Sequence, residues 1–359
     1  VLLVDPTKIS AVDPTTERVT FRSPTYTGQG GELTATPALA DLTGDGRPEI
    51  VVGAQEQYTE PINIFPGIGA GNSRLYAVSS FGTANPAGRD RSAAHPDDRA
   101  YLSGWPVAVP MAILQILPAI GQGVAIQAAV GDVDGDRQPE VVAVSAAGQY
   151  RVFERDGTSA YGKPSNIPFG LTWFDAAPPG TNSTDTEAIL GAFGGPALGR
   201  IVSTTGLDIA GPTSGLRRAV DALAPNRQAD ADPQMTVWRG RDGGIVPGFP
   251  RVTADLAFFV TPAIADVDGD GRNEVVAGNG IQTIDAFGSS GPQPSGWPKL
   301  TGGWVVGTPG FGDWDGDGTA EVGVVRRDGR LIVWDLPTPA GAIGDWVRFG
   351  GNDRNTGSR

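Results

Sequence analysis

TPAIADVDGDGRNEVVAGN, residues 261–279, is the stretch whose reading decides the fold. A short apolar run ends in Asp266. A nine-residue loop then places acidic residues at its first, third, fifth and ninth positions, and a β-branched run starts at once. The same three parts recur as TPALAD, DLTGDGRPE and EIVVGA over 36–54, as QAAVGD, DVDGDRQPE and EVVAVS over 127–145, and as TPGFGD, DWDGDGTAE and EVGVVR over 308–326. GPALGR at 195–200 matches the apolar lead-in, but Arg200 stands where Asp is expected and no acidic loop follows. The loop starts Asp41, Asp132, Arg200, Asp266 and Asp313 are 91, 68, 66 and 47 residues apart. The shortest spacing is close to the length of a four-stranded blade, and the longer ones fit the same unit with loop insertions.

Working outward, the chain has 359 residues with 53 Gly, 30 Pro and 39% hydrophobic residues, a turn-rich folded composition. Short β-branched runs between Gly, Pro, Asp and Asn clusters argue for an all-β fold. A four-stranded sheet cannot bury its faces alone, so the repeats must stack. They do so either radially, as a β-propeller, or as a split sandwich array. The expectation is a β-propeller of four-stranded blades, with five recognisable units and six to seven blades when complete.

One domain spans 1–359 on this reading. Residues 1–35 form a partial N-terminal blade in which KISAVDPTTERVTF, 8–21, gives two strands around a turn. Repeat units follow at 36–123, 124–185, 186–258, 259–304 and 305–350, with a tail at 351–359. Residues 111–123 read as an apolar connection. Residues 214–224 read as a helix, with Ser214 as cap, Leu216, Val220 and Leu223 on one face, and Pro225 as stop. The closing motifs around Trp105, Phe249 and Trp297 read as blade packing, whereas Trp173, Trp304 and Trp346 are the candidates for exposure.

Carboxylates on alternate residues of a tight loop converge on one point. In the fourth unit these are Asp266, Asp268, Asp270 and Glu274, with the carbonyl of Arg272 at position seven. The second unit has Asp132, Asp134, Asp136, Gln138 and Glu140, and the fifth has Asp313, Asp315, Asp317, Thr319 and Glu321. In the first unit, Asp41, Thr43, Asp45, Arg47 and Glu49, the neutral Thr43 makes a weaker set. All these are hard oxygen donors suited to Ca²⁺. Without a cation the crowded carboxylates repel. Arg137 takes the sixth position, where the other loops have Gly46, Gly271 and Gly318, so a positive φ there would strain the second loop. An EF-hand would need an acidic residue at position twelve and flanking helices, but Val52, Ala143, Ala277 and Val324 stand there and the flanks are strand-like.

These loops resemble the FG-GAP (VCBS-type) calcium-binding repeat of integrin α-subunit-like β-propellers, over roughly residues 36–350. The resemblance implies about four structural Ca²⁺ ions, each within a blade between its first two strands. It is unspecific about function, because such propellers serve in adhesion, carbohydrate binding and some polysaccharide lyases. No RGD occurs.

Net charge is −13, which argues against nucleic acid as a partner, and four Ca²⁺ would bring it to −5. The absence of Cys excludes disulfides and thiolate metal sites. The single histidine, His95, excludes a multi-His metal site within one chain and, with Ser92 and Asp97 beside it, makes a poor triad. GIGAG at 67–71 lacks the context of a phosphate loop, and Asn182-Ser183-Thr184 matches a glycosylation sequon. No apolar run is long enough for a transmembrane helix. Beginning at Val1 without Met, the chain reads as a processed or trimmed product. The expected function is a secreted or cell-surface, calcium-binding adhesion, ligand-binding or assembly module with a protein or carbohydrate ligand. It could be part of a larger extracellular assembly, and no catalytic residues are assigned. The alternatives are a polysaccharide lyase or hydrolase, or a lectin-like propeller.

Overall fold

A computed structural model describes the backbone of four short strands within the first 33 residues. It then describes residues 35–55, 69–79, 101–113, 123–145, 150–162, 189–191, 194–215, 232–255, 257 and 260–359. Among these the chain is all-β, with antiparallel sheets and two 3₁₀ turns and no α-helix. The sheets are the meanders from which propeller blades are built, consistent with a β-propeller. Residues 1–130 with 139–170 form one compact unit, and residues 131–138 with 171–359 form another.

In the first compact unit, Leu2–Val4, Ile9–Val12 and Val19–Arg22 pair in sequence order. A four-wide sheet follows. Glu32–Leu33 and Ala38–Ala40 share one edge of Glu49–Gln55, which pairs with Gly69–Val78 and then Val107–Ile113. Residues 111–113, expected in an apolar connection, are thus the end of a strand, because their backbone completes the ladder with residues 69–71. The next sheet contains Ala129–Gly131, Glu140–Val144 and Tyr150–Phe153.

In the second compact unit, Ile189–Gly191 and Ala197–Gly199 share an edge of Asp208–Gly215, followed by Pro233–Trp238 and Arg251–Val252. Ser214 therefore does not cap a helix. Its backbone is registered between Leu190 and Pro233, and the ladder overrides the local helical pattern. Residues 216–225 of the expected helix lie outside the described residues. Ala263–Ala265, Glu274–Gly278, Thr283–Phe287 and Lys299–Leu300 form a complete four-stranded meander. The last sheet has three strands, Gly310–Gly312, Thr319–Val325 and Leu331–Pro339, one fewer than expected.

Every residue of Glu140–Val144 and of Glu274–Gly278 is buried. A strand covered on both faces reads as a continuous apolar run, which is why these segments do not alternate. In the first unit the core interleaves Val51, Leu75 and Val107 of one sheet with Val130, Val141 and Phe153 of the next. In the second it interleaves Val276 and Ile284 with Phe311 and Val322.

The closing motifs serve as expected. Trp105 is fully buried, meets Phe153 edge-on at 6.1 Å, and donates its indole N–H to the Arg155 carbonyl at 3.0 Å. Phe249 is equally buried, and Trp297 is half-buried against the core. The glycine ahead of each aromatic has a reason. Gly104 sits at φ 94°, and a Cβ on it would lie 1.4 Å from the Asp156 carbonyl oxygen in the next repeat. Gly248, also at φ 94°, would lie 2.0 Å from that of Ser290. Facing them, a Cβ on Gly157 would lie 2.6 Å from the Gly104 carbonyl oxygen, and one on Gly291 would lie 2.4 Å from that of Gly248. Successive repeats therefore meet backbone to backbone, where only glycine fits.

The tail reverses one expectation. Gly344–Trp346 adds a strand to the free edge of Ala263–Ala265, and Trp346 is 1% exposed with Gly351 beneath its ring. Trp304 is partly buried with Arg327 stacked on it at 5.1 Å, and Trp173 lies outside the described residues. Among the described residues the exposed indole is Trp314, 48% accessible, lying across Gly312 and Gly323. Trp346→Ala should therefore cost about 3–5 kcal/mol. Trp314→Ala should cost distinctly less, since half its surface is already in water. Denaturant midpoints of the two variants check this order.

Candidate metal centre

The four acidic loops share one hydrogen-bond frame. The first-position carboxylate accepts amides from positions four and six. Asp41 accepts from Gly44 (2.7 Å) and Gly46 (2.8 Å), and Asp132 from Gly135 (2.7 Å) and Arg137 (3.0 Å). Asp266 accepts from Gly269 (2.7 Å) and Gly271 (2.9 Å), and Asp313 from Gly316 (2.7 Å) and Gly318 (3.2 Å). The fifth-position carboxylate accepts the amide of position seven. Asp45 takes Arg47, Asp136 takes Gln138, Asp270 takes Arg272 and Asp317 takes Thr319, all at 2.7–2.9 Å. Thr319 adds its hydroxyl to Asp317, and these bonds hold that carboxyl below its usual range.

Position nine ties the loop to the strand behind it. One oxygen of Glu49 accepts Leu42 N (2.9 Å) and Thr43 N (3.2 Å). Glu274 accepts Val267 N (3.0 Å), and Glu321 accepts Trp314 N (2.6 Å). These glutamates are 0–3% exposed. Burial pushes Glu274 up to about 8, and Asp268, Asp270 and Asp266 push the same way against the Val267 amide. Burial likewise raises Glu49 to about 7, opposed by its two amides.

Positive φ falls where the sequence placed glycine. Gly46, Gly271 and Gly318 lie at φ 83–90°, and Arg137, at the same position, lies at φ 72°. The second loop therefore holds a long side chain in the left-handed region, at a conformational cost of order 1–3 kcal/mol.

Convergence differs among the loops. Ligand oxygens of Asp313, Asp315, Asp317 and Glu321 all lie within 4.8 Å of one another. Those of Asp132, Asp134 and Asp136 do so as well, and those of Asp266, Asp268 and Glu274. Asp270 is exposed and outside its trio. Glu140 is buried at the head of its strand. Asp41, Asp45 and Glu49 form no such group among the described residues, and Thr43 stands between them. The second oxygen of Glu49, the second oxygen of Glu321 and the Thr43 hydroxyl are buried without a hydrogen-bond partner. Desolvated oxygens of this kind are costly unless something pairs with them. The described acidic clusters can therefore hold metal ions.

The third repeat supplies a control that was missed from the sequence. Counting from Arg200, position nine is Asp208, fully buried. One of its oxygens accepts the amides of Ile201 (3.0 Å), Val202 (2.7 Å) and Ser203 (2.9 Å), and the other takes the Ser203 hydroxyl. Both oxygens are satisfied internally. The loop keeps its length and its anchoring carboxylate while positions one, three and five have become Arg200, Val202 and Thr204. Counting from the lead-in GPALG, rather than searching for its Asp, would have found it.

Comparisons with known proteins are distant. No family model matches the chain, and no curated protein matches it. Among solved structures, the chain is similar to the Dos1 propeller, with 10% identity, 94% of this chain and 64% of that one covered, and a TM-score of 0.45. It is also similar to the Vibrio cholerae biofilm matrix protein Bap1, at 12% identity, 98% and 78% coverage and a TM-score of 0.41. A third is the rhamnogalacturonan lyase YesW, at 17% identity, 98% and 55% coverage and a TM-score of 0.45, so the chain spans about half of that protein. The reading of the fold and of the loops rests on this chain's own residues.

Proposed function

We propose that this chain is a calcium-binding β-propeller of the FG-GAP/VCBS type, with structural ions in its acidic loops, acting outside the cell as a non-catalytic binding or assembly module. One observation carries the metal reading. Glu49 and Glu321 each keep a buried oxygen with no partner, whereas Asp208, in the loop that has lost its other carboxylates, has both oxygens satisfied. The first, third and fifth carboxylates with the ninth would hold the ion in the fourth and fifth loops, joined by the carbonyls of Arg272 and Thr319. The second loop would use Asp132, Asp134 and Asp136 with Gln138. The first would use Asp41, Thr43, Asp45, Arg47 and Glu49. The ion supplies charge neutralisation and a fixed loop shape. Carboxylates, a hydroxyl and carbonyls are the hard donors that suit Ca²⁺.

No catalytic residue is assigned, and among the described residues the carboxylates buried away from the acidic loops are hydrogen-bonded. Asp285 is held by the amides of Asn279 and Gln293, and Asp208 and Asp345 are held by backbone amides. Extracellular modules of this kind work at roughly 10⁻⁴–10⁻³ M calcium, which favours a secreted or cell-surface location. The ligand is a protein or a carbohydrate.

Calcium binds the folded loops and not the unfolded chain, so millimolar calcium should raise the melting temperature of EDTA-stripped protein. An unchanged melt would overturn the metal reading. Calorimetric titration should give one site fewer for Glu321→Gln, whereas Asp208→Asn should lose stability and keep the wild-type stoichiometry.

The pH dependence has a definite sign. In metal-free protein Glu49 and Glu274 hold protons in the fold up to about 7 and about 8, and release them near 4.5 when unfolded. The folded state therefore binds more protons across that window, and metal-free stability should fall as pH rises from about 5 to about 8. Calcium takes the ionised form, so saturating calcium should abolish or reverse the slope. Melts at both pH values, with EDTA and with calcium, check this.

A further inference from the structure

The second compact unit contains a cavity of about 650 Å³ walled by the third loop, the closing side of the fourth loop and the added C-terminal strand. Its lining includes Arg200, Thr204, Arg272, Asn273, Ser289 and Asp345. Both arginine side chains are exposed, and neither guanidinium has an ion-pair partner among the described residues. The one carboxylate in the wall does not neutralise them. Asp345 is 6% exposed, is ion-paired to Arg359, and accepts the Arg200 amide at 2.7 Å and the Asn273 amide at 3.1 Å.

These bonds also fix Arg200. Its N–H is held by Asp345, and its carbonyl accepts Asn273 Nδ2 at 2.9 Å. The main chain on which this guanidinium is mounted is therefore clamped from two sides. Asp208 holds the rest of the third loop through its amides, so Arg200 occupies a first-ligand position in a loop that keeps its shape without an ion. In a chain of net charge −13, two guanidiniums without an ion-pair partner among the described residues line one cavity. The remaining wall carries the hydroxyls of Ser203, Thr204 and Ser289 beside the apolar Ile201 and Val202.

We propose that this cavity binds a small hydroxylated carboxylate, with Arg200 and Arg272 engaging the carboxylate and Thr204 and Ser289 engaging the hydroxyls. A guanidinium fork matches a carboxylate in plane and in spacing, and the cavity volume falls within the usual range of small-molecule sites. The inference uses no metal; it shares Arg272 with the fourth acidic loop, taking the guanidinium where the calcium reading takes the carbonyl.

The test is calorimetric titration of the full chain in calcium-containing buffer with sodium galacturonate, with sodium gluconate, and with galactose as neutral control. Saturable binding of an acid, and none of galactose, is the expected result. Galacturonate alone identifies a ring acid, and gluconate alone an open-chain hydroxy acid. Arg200→Ala and Arg272→Ala should each weaken binding about tenfold or more, the range of a charge-assisted hydrogen bond. Binding of neither acid, equal binding of galactose, or wild-type affinity in Arg200→Ala would overturn the proposal. NMR of the wild-type guanidinium Nε–H groups gives a second readout that needs no variant. Ligand-induced shifts at Arg200 and Arg272 are expected, and shifts confined to other arginines would also overturn it.

Discussion

The ninth-position carboxylate is the constraint on which each acidic loop depends. It must be near enough to its strand to accept the amides at the start of the loop, and this buries it. Burial is tolerable only if both oxygens find partners. Glu49 and Glu321 find backbone partners for one oxygen and none for the other, and around Glu321 the carboxylates of Asp313, Asp315 and Asp317 gather. Stability of the strand behind and occupancy of the loop in front are therefore one problem. Asp208 shows the other solution, in which a shorter side chain and the Ser203 hydroxyl close the loop on itself.

The loops were legible because carboxylates at alternate positions have few explanations, and because strand-like segments such as EVVAV and EVVAG are continuously apolar. The glycines at positions four and six were legible as turn residues, and Arg137 as a strained substitute, since φ preference is a property of the residue itself. Asp208 is not legible as a loop anchor because the first-position Asp that marks the other loops is Arg200 here. Ser214 was misread because its neighbours follow a helical period, and the partner strands that override it lie 19 or more residues away.

Trp346 failed for a related reason. Its burial depends on pairing with Ile264 and on a chain reversal that brings Gly351 under the ring, and neither leaves a local mark. Trp314 shows the converse. It follows the loop's first Asp, where Val267 in the fourth loop is buried, yet its ring spreads over two glycines and stays half in water. The cavity beside Arg200 was beyond reach of sequence because it is assembled from segments more than a hundred residues apart.

The contacts of Gly104 with Gly157 and of Gly248 with Gly291 carry one more consequence. At these points main chain meets main chain, beside a seam that matched side chains such as Trp105 and Phe153 fill. Each repeat must supply a bare position at a fixed height next to its buried closing aromatic. Between those positions the chain can lengthen outward, as the change in loop spacing from 47 to 91 residues records, without disturbing the joint. The architecture therefore fixes where repeats touch and leaves their length and outer surface free to diverge.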